Sequence, residues 1–233
     1  LTLDVPVLSG LRFSDFNQLI ASPVENISFN TTLFNEGNGA QGWDLDLQAP
    51  MGWHLGFDSL GSISGSPSAS SGYIPTSGSK KISITLVPPS DQLISSGTIL
   101  SGALVAKSQL DNNLVWRLNL SFIVGEYRQV SLVNESSFGA LSPDSLLNLR
   151  FTVVNEGNTD LSLTSTADLP GGWEITNQLP NMPLSPTESK SIVVVLQGNG
   201  LASSGPMELT MIDSSGFRVT WAGYLDVQTS PQP

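Results

Sequence analysis

Apolar and polar residues alternate along most of this chain. Phe29, Thr31 and Leu33 alternate with Ser28, Asn30 and Thr32, and Leu149, Phe151 and Val153 alternate with Asn148, Arg150 and Thr152. A period of two is expected of a strand with one face in a core and the other in water. Trp43, Leu45 and Leu47 alternate in the same way with Asp44 and Asp46 before Pro50. Ile82, Ile84 and Leu86 follow Pro75-Thr76, as Ile192, Val194 and Leu196 follow Pro186-Thr187. Last strands are expected from Leu114 to Val124 and from Arg218 to Val227, each behind a turn cluster, Asp111-Asn112-Asn113 or Asp213-Ser214-Ser215-Gly216. Helical periodicity is nearly absent. Short strands at this spacing predict an all-β protein built as an immunoglobulin-like or fibronectin-III-like β-sandwich.

The pattern occurs twice. Asn35-Glu36-Gly37-Asn38 recurs as Asn155-Glu156-Gly157-Asn158, and Pro50-Met51-Gly52-Trp53 recurs as Pro170-Gly171-Gly172-Trp173, both 120 residues on. Past Trp53 the offset falls to 110, at Ile82 and Ile192. The first copy therefore carries about ten extra residues in a Gly/Ser loop near 61–72, mobile unless something orders it. Two tandem domains follow, 1–124 and 125–233, the second ending in a linker-like tail. They meet near Gly125-Glu126 without a Pro/Ser-rich spacer, which favours a semi-rigid connection. In the shared turn, Gly37 and Gly157 are expected to supply positive φ, with the flanking Asn residues tolerating left-handed conformations.

Composition narrows the function classes. Each copy is long enough to bury a core without a metal or disulfide, and with no cysteine in 233 residues none is available. The first copy has nine acids and five bases, the second eleven and four. An acidic chain with scattered bases repels a phosphate backbone and suits an anionic membrane surface poorly, so neither nucleic acid nor membrane insertion is expected. No apolar run approaches the ~20 residues that span a bilayer. The chain reads as a piece of a longer exported protein.

The order is a strand ending in Asn-Glu-Gly-Asn, a strand ending in Pro-x-Gly-Trp, a Pro-initiated turn and an Ile/Val-rich strand. This resembles the NEW3- and CARDB-like immunoglobulin-fold modules of bacterial and archaeal secreted or cell-surface proteins, over roughly residues 11 to 227. The resemblance implies stalks, spacers or accessory domains beside hydrolases and adhesins, and it brings no catalytic residues or cofactor with it. The loop insertion is its chief departure.

Candidate chemistry is sparse. His54 is the single histidine, so neither a repeated Ser-His-Asp triad nor a histidine pair for zinc can be assembled. Asp44 and Asp46 share one strand face and could contribute to a Ca²⁺ site if loops supplied more oxygens, although a solvated acidic face is the plainer account. The second copy is read as having Ser162 and Thr164 there. Asp111-Asn112-Asn113 is explained as a hairpin turn, and Glu36 and Glu156 as exposed turn acids. Trp53 and Trp173 could stack on a sugar, but a Trp held in both copies after Pro-x-Gly reads first as core or edge packing. Trp116 and Trp221 read as core. Glycosylation sequons stand at Asn26, Asn30, Asn119 and Asn134. The expectation is a non-catalytic structural or interaction module, extracellular or on the cell surface, whose partners are other domains of its parent and a surface protein or glycan. The alternative is a carbohydrate-binding accessory module on a secreted hydrolase.

Overall fold

The computed structural model describes residues 6–58 and 65–228; the tail at 229–233 and loop residues 61–64 lie outside the described residues. The chain divides into two compact units, Leu1–Tyr127 and Arg128–Pro233. Every regular element among the described residues is a strand. In the first unit these are β1 (Leu11–Phe13), β2 (Leu19–Ala21), β3 (Ile27–Asn35), β4 (Trp43–Gln48), β5 (His54–Phe57), β6 (Ser68–Ser70), β7 (Ser79–Val87), β8 (Ile99–Ser108) and β9 (Val115–Val124). In the second they are β10 (Val130–Asn134), β11 (Leu146–Asn155), β12 (Leu161–Asp168), β13 (Trp173–Ile175), β14 (Met182–Leu184), β15 (Ser189–Gly198), β16 (Gly205–Ile212) and β17 (Arg218–Leu225).

Each unit is an immunoglobulin-like sandwich of two sheets. The first stacks β1-β3-β7-β5 on β2-β9-β8-β4-β6, and the second stacks β10-β11-β15-β13 on β14-β12-β16-β17. The short β2 runs parallel to β9, and in the second unit that role shrinks to the single parallel bridge Leu141↔Val227. Alternation in the sequence becomes alternation of burial: Trp43, Leu45 and Leu47 are buried while Asp44 and Asp46 are exposed. Each unit has its own apolar cluster drawn from both of its sheets. Burying these faces drives the fold at roughly 25 cal/mol per Å² of apolar surface.

The copies keep one register. Thr31 pairs with Ile82 as Phe151 pairs with Ile192, so the drop in offset from 120 to 110 falls between the Trp53 and Trp173 strands and these partners. The described part of the Gly/Ser loop is ordered by backbone pairing. Ser66 bridges Phe57, and β6 lies on β4. A Cβ on Gly56 would come within 2.4 Å of the Gly65 backbone, so two glycines let this segment close down on β5.

Several sequence expectations change. Neither Gly37 nor Gly157 takes a positive φ; the left-handed residues at this end of each unit are Ser77 (φ 58°) and Thr187 (φ 66°). The turn at Gly37 instead needs glycine for space, since a Cβ there would lie 2.4 Å from Leu8 O. The two Pro-Thr pairs are not equivalent. Gly78 N–H donates to Pro75 O as Glu188 N–H donates to Ser185 O, which matches Pro75 with Ser185 and Ser77 with Thr187. Trp116 and Trp221 are half-buried against the cores rather than within them. Finally, Asp44 pairs with Lys107 as Thr164 pairs with Ile212, so Thr164 and Thr166, not Ser162 and Thr164, stand where Asp44 and Asp46 do.

Candidate functional site

The repeated motifs converge on the interior of each unit. Asn35, 1% exposed, accepts the Gly37 N–H at 2.9 Å and donates from Nδ2 to Gly39 O and Ile74 O, both at 2.8 Å. Asn155, fully buried, accepts the Gly157 N–H at 2.9 Å and donates to Thr159 O at 2.9 Å and Leu184 O at 3.1 Å. One carboxamide thus closes the turn after β3 or β11 and ties it to the segment before β7 or β15. It gives the buried Gly37 or Gly157 N–H its acceptor and adds a second donor at carbonyls of the same corner.

Trp53 and Trp173 are buried, at 6% and 7% exposure, and belong to the apolar clusters. Gly52 and Gly172 precede them at φ 80° and 82°, a conformation only glycine adopts freely, and this turns each indole inward. The Trp173 indole N–H donates to Ser203 O at 3.1 Å. Neither ring face is open to a sugar.

Asp44 and Asp46 project from β4, as their spacing implies, beside Ser68, Val105 and Lys107 in a shallow depression. Asp44 accepts from Gln109 Nε2 at 2.7 Å, and Asp46 accepts from Ser68 Oγ at 2.9 Å. Among the described residues no third His, Cys, Asp or Glu joins them to form a metal-binding group. The imidazole of His54 is exposed, and its Nε2 lies 2.7 Å from Gly65 O, holding the ordered base of the loop. Glu36 pairs with Arg12 at 2.7 Å, and Glu156 accepts from Gln129 Nε2 at 2.9 Å. The sequon residues Asn26, Asn30 and Asn119 are exposed and Asn134 is half-buried, its Oδ1 accepting the Ser136 N–H at 2.9 Å. Asp111 accepts the Asn113 N–H at 2.9 Å, the geometry of a hairpin turn.

Two further features were legible only in part. Lys80 and Lys190 occupy one position in the two copies, and each ammonium donates to a backbone carbonyl, that of Ser71 (2.6 Å) or of Pro183. The 110-residue offset contains this recurrence, as Ser79-Lys80 and Ser189-Lys190. The second feature is a substitution between copies. Ser9 Oγ meets Ser108 Oγ at 3.2 Å in the first unit, and Arg128 pairs with the buried Asp213 at the matching place in the second. Burial alone would raise the pKa of Asp213. Hydrogen bonds from the Ser215 hydroxyl and N–H, the Arg128 charge and the Phe217 N–H outweigh it and hold the carboxyl below its ordinary range. Residues 85 positions apart in sequence had no local pattern to betray them as neighbours, so periodicity could not find this pair.

The chain matches no protein-family model and no curated protein. Among solved structures it is similar to the YadV chaperone, at 14% identity over 92% of this chain and 99% of that one, with a TM-score of 0.34. The E. coli chaperone DraB aligns at 12% identity over 92% of this chain and 98% of that one, with a TM-score of 0.32. A protocadherin gammaB7 EC3-6 structure aligns at 12% identity over 94% of this chain and 48% of that one, with a TM-score of 0.42. Likenesses this distant fix no function.

Proposed function

We propose that this chain is a pair of non-catalytic structural or interaction modules, a stalk, spacer or adhesion element of a larger secreted or cell-surface prokaryotic protein, akin to the NEW3- and CARDB-like modules. One observation carries the reading. The residues that the two copies hold in common are spent inside their own sandwiches: Asn35 and Asn155 on buried turns, Trp53 and Trp173 on the cores. Duplication of a binding or catalytic unit would repeat exposed chemistry. Here the repeated polar chemistry is scaffold, the exposed Glu36 and Glu156 being held in pairs with Arg12 and Gln129, whereas Asp44, Asp46 and His54 belong to one copy only.

The partners in this reading are neighbouring domains of the parent protein and a surface protein or glycan. The carbohydrate-binding alternative loses the stacking platform that motivated it, because both indoles face inward. Cysteine-free sandwiches with exposed sequon asparagines suit an exported, non-reducing setting without depending on it.

The test is localisation together with chemistry on the full chain. An antibody raised against it is expected to stain intact source cells, and a panel of ester, peptide and glycoside substrates is expected to show no turnover. Staining only after permeabilisation, or turnover abolished by substitution of a single surface residue, would overturn the proposal.

A further inference from the structure

A sandwich of open sheets must protect its edges, because an unpaired strand offers a row of free N–H and C=O groups. Most edges here are blunted. Strands β1, β2, β6, β13 and β14 have three residues each, β5 has four, and β14 contains Pro183. The longest edge strand is β17, eight residues from Arg218 to Leu225 with no proline and no lysine, lying at the end of its sheet; the five-residue β10, at the edge of the other sheet of this unit, packs beside it.

Hydrogen bonding shows which backbone groups face outward. Phe217 O accepts from Asp213 on the neighbouring hairpin arm, so odd-numbered residues of β17 turn toward β16. Asp226 O accepts from Leu141 on the opposite side, so even-numbered residues turn away from β16. The main-chain groups of Arg218, Thr220, Ala222 and Tyr224 therefore point off the sheet edge, ahead of the Leu141 bridge that closes the strand's far end.

The face beside this edge breaks a pairing rule. Asp168 on β12 stands directly opposite Glu208 on β16, and like charges at such a position destabilise a sheet. Among the described residues neither carboxylate has a hydrogen-bond or ion-pair partner. The next residue in the same row is Ala222 of β17, too small to cover them.

We propose that β17 is a homotypic docking edge at which two copies of this chain pair antiparallel about a two-fold axis through Thr220. That register sets Thr220 against its own copy, a favourable cross-strand pair, and gives about six main-chain hydrogen bonds from outward-facing residues alone. It also places Arg218 of the second copy opposite Ala222. From there its guanidinium extends over the small alanine toward Glu208, whose strand is roughly 10 Å away, and answers the Asp168–Glu208 pair. A two-fold interface repeats the contact in both directions. Sliding the pair by one step, to an axis at Ala222, would drive the second copy's Arg218 into the backbone at Leu141, which already occupies the edge beside Asp226. The register is thus selected by sterics at one end and by charge along the row. Closed pairing about an axis also consumes both edges and leaves none for a growing fibre.

Sedimentation equilibrium of the full chain tests this, together with two variants. The expected result is a concentration-dependent dimer, weakened by about 0.5 M salt because the exposed part of the contact is ionic. Thr220→Pro removes an outward N–H that β16 does not use, so it is expected to keep the fold, checked by circular dichroism, and to abolish dimerisation. Arg218→Glu is expected to weaken association about tenfold or more, and Glu208→Arg in the same chain to restore it. A monomer at about 100 μM overturns the proposal, as does a dimer indifferent to both single variants. Either result leaves the stalk-or-spacer reading standing, since that reading needs no second copy.

Discussion

Thr187 sits at φ 66° with its side chain exposed, and Ser77 holds the same place in the first unit at φ 58°. Both are fixed there because the next turn of chain must return to the buried carboxamide residue: Ser77 N–H donates to Asn35 O at 3.1 Å and Thr187 N–H to Asn155 O at 2.9 Å. A β-branched residue in this region is a true outlier and costs on the order of 1–3 kcal/mol. Asparagine visits the left-handed region far more readily and keeps the backbone donor. Thr187→Asn is therefore expected to stabilise the second unit by about 1 kcal/mol, read as a higher urea midpoint at unchanged slope. A variant with an unchanged or lower midpoint would show that Thr187 is not strained.

At the scale of elements, the two copies fill one core shape with different pieces. In the first unit Gly102 on β8 faces Leu120 on β9, whereas in the second Met207 on β16 faces Gly223 on β17. Large and small have changed strands. Leu118 in the first copy corresponds to Trp221 in the second, and the Trp221 ring fills the space above Gly223 so closely that a Cβ there would lie 2.2 Å from it. Trp221 in turn packs edge-on against Phe151, with centroids 5.0 Å apart. Gly223→Leu alone is expected to cost about 3 kcal/mol by overpacking, and Trp221→Leu alone a similar amount by leaving a cavity. Together they rebuild the Leu118–Leu120 side of the arrangement, with Met207 still in place of Gly102, so the double variant should fall short of the summed cost by about 1 kcal/mol. Simple additivity in a denaturation cycle would refute the compensation.

At the scale of the whole molecule, two separate cores lead to two unfolding transitions, and acid distinguishes them. Among the described residues, both carboxyls with depressed pKa values, Asp213 and Glu188, belong to the second unit. In Glu188 the main cause is the Ser185 N–H, followed by the Lys190 ammonium. A folded-state pKa below the unfolded one adds stability above the ordinary value, and that stability is lost as pH falls through the folded value. The second unit should therefore lose stability below the ordinary aspartate pKa of 3.8, while the first, with Ser9 and Ser108 at the matching site, changes less. Thermal scans at neutral and strongly acid pH should show the transition assigned to residues 128–233 moving down further. Equal movement of both transitions would reject this asymmetry.

Period-two patterning and a motif repeated at a fixed offset were enough to determine an all-β chain, two matched sandwiches, and the strands carrying Phe29, Trp43 and Ile82 with their counterparts. Burial is a local consequence of alternation, so the sequence displays it directly. Pro-x-Gly-Trp likewise announced an inward indole, because the constraint lies within four adjacent residues. Contacts between distant residues were settled only by the tertiary structure. It moved the left-handed residues from Gly37 and Gly157 to Ser77 and Thr187, since the buried Asn35 and Asn155 dictate how the chain must return. It joined Arg128 to Asp213, paired Asp168 with Glu208, and set Trp221 over Gly223. Each of these depends on which strands become neighbours and in what register, and a one-dimensional pattern carries the faces of strands but not the identity of their partners.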